Sequence, residues 1–124
     1  MSAPAAVLVL VLMALCACAQ NTYPEEYDKL DVKSLLQDQQ KVDRFVTCLL
    51  QEECSELGGK LKDVLVDALN TKCTKCTEIQ KGKIRMAAKY FIEQKPEVWE
   101  QITQKYDPKG EHAEGFLKFM QEGN

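Results

Sequence analysis

Residues 48–76 read CLLQEECSELGGKLKDVLVDALNTKCTKC, a Cys-x5-Cys-x18-Cys-x2-Cys array with one helical stretch between its two cysteine pairs. In that stretch Leu57, Leu61, Val64, Leu65, Ala68 and Leu69 recur at the spacing that lines one face of a helix. Gly58-Gly59 interrupts the stripe at a cost on the order of 1 kcal/mol per glycine, so the helix starts either at Ser55 or, delayed, at Lys60. A helix clipped at both ends by cysteines is the frame on which the flanking segments must pack.

Upstream, Val42, Phe45, Val46, Leu49 and Leu50 predict a helix from about Gln39 to Gln51, with Cys48 in its last turns. Before it, Asp31 is a plausible N-cap for a short helix carrying Val32, Leu35 and Leu36. The polar stretch Gln20 to Leu30 reads as an extended arm whose Tyr23 and Tyr27 dock on the body. Downstream, a fourth helix after Cys73 would place Cys76, Ile79, Lys83, Met86, Ala87, Tyr90 and Phe91 on or near one side. It must stop before Pro96, because the residue preceding a proline disfavours the helical region. Pro96 then suits the first turn of a fifth helix, Glu97 to Tyr106, and Asp107-Pro-Lys-Gly110 is a turn by residue type. A last segment carries Ala113, Phe116, Leu117 and Met120 at helical spacing, with Phe119 off the stripe. No strand-like alternation of useful length occurs. The expected fold is therefore all-α, a compact bundle of about six short amphipathic helices.

Met1 to Ala19 has no charged side chain, an apolar run, and Ala17-Cys-Ala19 ahead of Gln20, the small-x-small pattern of a secretory cleavage site. Residues 1–19 are read as a signal peptide and residues 20–124 as one domain. The apolar run is shorter than the roughly 20 residues a spanning helix needs, so no membrane span is expected. Cleavage removes Cys16 and Cys18 and leaves Cys48, Cys54, Cys73 and Cys76, an even set that favours disulfides in an exported chain. Three pairings of four cysteines exist. The local choice is sterically easy, since residues three apart on a turn have α-carbons within the disulfide range of about 4.4–6.8 Å. A zinc site is disfavoured by the five-residue spacing, and a redox pair at Cys73-Thr-Lys-Cys76 lacks the strand-and-helix context it normally has.

A net charge of −3 argues against a nucleic-acid partner, whose affinity would rest on a clustered positive field. The single histidine, His112, has no triad or metal pattern around it, and no phosphate-cradling loop or nucleophile elbow is present. No catalytic, metal or cofactor role is expected. Seven basic residues between Lys72 and Lys95 form either a solvated face or a docking surface for an acidic partner on the fourth helix. The apolar inventory either fills a core or lines a cavity for a ligand, and periodicity does not separate the two.

The four-cysteine array, Asp67-Ala-Leu-Asn-Thr-Lys-Cys-Thr-Lys-Cys76, Tyr90-Phe-Ile-Glu-Gln-Lys-Pro-Glu-Val-Trp-Glu100 and Gln104-Lys-Tyr-Asp-Pro-Lys-Gly110 together resemble the insect chemosensory proteins. The resemblance covers almost the whole chain from Tyr27 to Gly110. It implies a small secreted six-helix protein with adjacent cysteines paired, acting as a carrier of odorants, pheromone components and fatty-acid-like chains in a hydrophobic channel. By position Val32, Leu36, Phe45, Leu61, Val64, Leu65, Ala68, Phe91 and Trp99 correspond to channel-lining sites, and Phe45 stands where the family often has tyrosine. Ala87-Ala88 stand where larger aliphatics are common, so Ala87 would widen the channel if it faces it. The first cysteine loop departs from the family in being one residue short and lacking Gly-Pro. Tyr27 and Tyr106 are the candidate anchors for a ligand head group, unless their hydroxyls reach only solvent or a backbone carbonyl. A monomer binding a small apolar ligand is the first reading; a secreted interaction or developmental protein acting through its surface is the second.

Overall fold

The computed structural model describes residues 22–122, so the proposed signal peptide, with Cys16 and Cys18, lies outside the described residues. A 3-10 turn, Glu25–Lys29, leads into six helices: α1 Val32–Gln37, α2 Gln39–Gln51, α3 Glu56–Thr71, α4 Glu78–Gln94, α5 Pro96–Tyr106 and α6 Ala113–Gln121. No strand occurs among the described residues. The protein is an all-α bundle of short helices with two local disulfides.

Each boundary has a local cause. The Asp31 carboxylate accepts from the Ser34 amide, and Asp38 closes α1 while accepting from Gln40 and Lys41 to open α2. Ser55 accepts from the Gly58 amide, so α3 starts before the glycine pair rather than after it. A β-carbon at Gly58 would lie 3.0 Å from Ser55 Oγ and 3.6 Å from Cys48 Sγ, which explains a residue that looked like a defect in the stripe. Helix α4 begins later than the sequence suggests. Lys72 and Cys73 take positive φ angles of 61° and 64°, and the chain re-enters a helix only after Thr77, which forms a reciprocal capping box with Gln80. Cys76 therefore sits in a loop. Pro96 occupies the first turn of α5, as its missing amide allows.

Cys48 pairs with Cys54 and Cys73 with Cys76, across Cα separations of 4.5 and 5.2 Å. The first ring closes over its short loop with Glu52 in the left-handed region, at φ 61°. Helix α3 packs on α2 and α6, α1 lies against α2 and α4, and α5 bridges α2 and α4. Two groups of buried side chains result. One joins Ala68, Leu69, Cys73, Cys76 and Ala88 with Phe116 and Phe119 of α6; the other joins Leu49, Leu65 and Ile102. Helix α6 turns Phe116 and Phe119 inward and leaves Leu117 51% exposed, so of the expected Ala113, Phe116, Leu117, Met120 stripe Leu117 falls outside the core and Phe119 enters it.

The amino-terminal arm is a strap coiled into the 3-10 turn rather than extended throughout. The Tyr23 amide donates to the Lys75 carbonyl inside the second cysteine ring, and the Tyr23 hydroxyl donates to Asp67 at 2.5 Å. Gln80, buried in α4, donates to the Pro24 carbonyl at 3.0 Å, Thr77 donates to Asp28, and Lys83 donates to the Leu30 carbonyl. Five side chains or loop groups thus hold the strap against α3, α4 and the ring between them.

Candidate functional site

A cavity of about 760 Å³ lies between the strap, α1, α2, α3 and α4, and it opens on solvent. The strap supplies Tyr27 and Leu30, and α1 supplies Val32, Leu35 and Leu36. Helix α2 contributes Val42, Phe45, Thr47 and Cys48, and α3 contributes Leu57, Gly58, Leu61, Val64 and Leu65. The α4 wall is Gln80, Lys83, Ile84, Ala87 and Phe91, an i, i+3, i+4, i+7, i+11 series on one helical face. Charged groups in the wall are Lys41, Asp43, Arg44 and Glu53, all exposed, together with half-buried Lys83.

Among the residues named from sequence, Val32, Leu36, Phe45, Leu61, Val64, Leu65, Ala87 and Phe91 stand in this wall. Ala68 and Trp99 do not. Ala68 is fully buried in the cluster around Cys73, and Trp99 stacks on Phe116 with ring centroids 5.7 Å apart. Both face the contact of α3 and α5 with α6. Phe116 and Met120 likewise belong to that cluster, and neither stands in the cavity wall. Of the two tyrosines, Tyr27 is in the wall, whereas the Tyr106 hydroxyl donates to the Leu49 carbonyl at 2.5 Å. Burial, then the negative charges of Glu52 and Asp63, push the Tyr106 hydroxyl above its ordinary pKa.

The sequence reading names Tyr27 only as a head-group anchor and does not assign Leu30, Leu35, Val42, Ile84 or Gln80 to the wall. Lys83 was visible as a lysine on an apolar stripe. The stripe itself turns slightly from the expected one, since Ile79 and Met86 are 57% and 44% exposed while Ile84, Ala87, Ala88 and Phe91 turn inward. The seven basic residues do not act as one face. Lys81 pairs with Glu78 at 3.1 Å, Lys83 bonds to Leu30, Arg85 donates to the Phe119 carbonyl at 2.9 Å, and the Lys72 stem lies on Gly115. Among the described residues no group of three His, Cys, Asp or Glu side chains could hold a metal, and no helix is long and apolar enough to cross a membrane.

The chemistry open to such a site is uptake of an apolar molecule. Its wall is dominated by aliphatic and aromatic carbon, and no acid, base and nucleophile converge there. The sequence pattern of the insect pheromone-binding family, A10/OS-D, matches residues 23–114. The chain belongs to this family. This A10/OS-D protein is 36% identical over 114 residues to the allergen Tha p 1 of Thaumetopoea pityocampa, covering 87% of this chain and 90% of that one. It is 38% identical over 104 residues to ejaculatory bulb-specific protein 3 of Drosophila melanogaster, covering 82% of each. Its fold matches a chemosensory protein in complex with bromo-dodecanol at a TM-score of 0.68 and 29% identity, over 82% of this chain and 99% of that one. The antennal chemosensory protein A6 of the moth Mamestra brassicae matches at 0.67 and 28%, over 82% and 94%. The resemblance to insect chemosensory proteins is thus a family membership, and by its description the A10/OS-D group is one of binding proteins.

Proposed function

We propose that this protein is a secreted, monomeric carrier of small apolar ligands, among them odorants, pheromone components and fatty-acid-like chains. The single observation that carries this reading is the 760 Å³ cavity with its aliphatic and aromatic wall. The bromo-dodecanol complex of a relative with the same fold supports it. Val32, Leu36, Phe45, Leu61, Val64, Leu65, Ala87 and Phe91 are the ligand contacts in this reading, and residues 1–19 are the leader that directs export. Burial in such a wall contributes roughly 0.8 kcal/mol per methylene with little directionality, which gives broad selectivity.

The test is displacement of a fluorescent apolar probe from residues 20–124 by linear alcohols of increasing length. Affinity should rise by about fourfold per added methylene, then level off once the cavity is filled. Failure of every alcohol to displace or bind would move the function to the protein surface.

A further inference from the structure

We propose that Lys83 is a head-group anchor that makes the cavity selective for single-chain amphiphiles with an anionic head, an alkyl carboxylate above all, over the alcohol of the same length. This deepens the carrier reading and rests on it.

The observation is a half-buried cation on a wall whose other charged groups are all exposed. Lys83 lies on the cavity face of α4 between Gln80 and Ala87 and is only half exposed. Its ammonium has three donors, and the partner found for it is one backbone carbonyl, that of Leu30. Among the described residues no carboxylate lies within ion-pair distance of it; the four ion pairs are formed by Lys41, Lys60, Lys62 and Lys81. Asp31 is the acid that senses Lys83. Its carboxylate is already engaged by the Ser34 amide at 3.1 Å and hydroxyl at 2.7 Å, and these bonds hold its pKa down, with Lys83 a lesser cause. Asp28 is engaged by the Thr77 hydroxyl at 3.0 Å. The other charges of the wall compete poorly for a ligand inside it. Lys41, Asp43, Arg44 and Glu53 are exposed, and Lys41 lies 3.9 Å from Asp38.

A partly desolvated ammonium with free donors favours an acceptor that carries charge. A carboxylate set at Lys83 leaves its alkyl chain to run along α4 past Ala87 to Phe91, one and two turns further on. Gln80 does not compete for that head, because its amide is committed to the Tyr23 and Pro24 carbonyls and its oxygen to the Thr77 amide.

The experiment compares dodecanoate with dodecanol at pH 8 by calorimetry, in the native chain, Lys83→Met and Lys83→Arg. The ratio of dodecanoate to dodecanol affinity should fall about tenfold in Lys83→Met, the lower end of what a charge-assisted hydrogen bond supplies. Lys83→Arg should retain the ratio, and dodecanol affinity should change little in either variant. An unchanged ratio in Lys83→Met, or parallel loss of both ligands from a loosened strap, overturns the anchor. If neither chain binds the native protein, it is the carrier reading that fails.

Discussion

Ala87 presents a methyl group to the cavity between Ile84 and Phe91, and the volume it leaves open is available to a ligand. Ala87→Ile should take up part of the 760 Å³ without changing the fold, weakening the longest and bulkiest ligands several-fold while short chains bind as before. A chain-length series in both proteins measures this; equal affinities at every length would show that the site is not limited by space there. Glu52 makes a different kind of prediction. It holds φ at 61° to close the first cysteine ring, a conformation that costs a residue with a β-carbon about 1 kcal/mol. Glu52→Gly should raise unfolding stability by about that amount in urea, since the Lys62 contact it gives up spans 3.9 Å at the surface and contributes little. Gly115 runs the other way: a β-carbon there would meet Lys72 Cε at 2.5 Å, so Gly115→Ala must displace the lysine stem that covers it.

The helices themselves were legible, because each carries a stripe at the right period and most have a capping side chain in sequence. What escaped was orientation and the exact entry of α4. A four-residue stripe drawn through Leu117 leaves Phe119 aside, yet the hydrophobic wall of α3 and α5 meets α6 on its Phe116–Phe119 side. The sequence places Cys76 in a helix because the left-handed pair Lys72 and Cys73 has no glycine to betray it. The second cysteine ring and the strap form one unit through the Tyr23 amide and the Lys75 carbonyl. Small rings remove little unfolded-chain entropy, so Cys73→Ala with Cys76→Ala should cost roughly 2 kcal/mol in urea and leave the bundle folded. Burial first, then the bond to Asp67, raises the Tyr23 hydroxyl well above the ordinary tyrosine value. A raised folded pKa gives stability that is full below the unfolded value of about 10 and is lost as pH rises beyond it. Unfolding free energy should therefore be insensitive to this group from pH 7 to about 10 and decline above, and Tyr23→Phe should flatten part of that decline.

At the scale of the whole molecule, one set of apolar side chains does two jobs that sequence periodicity cannot tell apart. Leu49 and Ile102 are buried in a filled core, while Val32, Leu36, Phe45 and Leu61, equally periodic, stay partly exposed along an open cavity. The difference is one of place: Leu49 and Ile102 lie where α2 and α5 meet, whereas the other four lie where α1, α2 and α3 face the cavity. Eight of the ten positions named from sequence stand in the cavity wall, whereas Ala68 and Trp99 face the other way toward α6. Ligands that fill the cavity should raise the unfolding temperature in proportion to the logarithm of their concentration over Kd, which a thermal melt at several ligand levels can read. The stacking of Trp99 on Phe116 also bears on how occupancy can be watched at all. It is the only tryptophan in the chain, and it stands outside the cavity wall. Intrinsic emission then reports the seating of α6, and a titration that leaves it unquenched says nothing against a full cavity; a reporter has to be carried by the ligand.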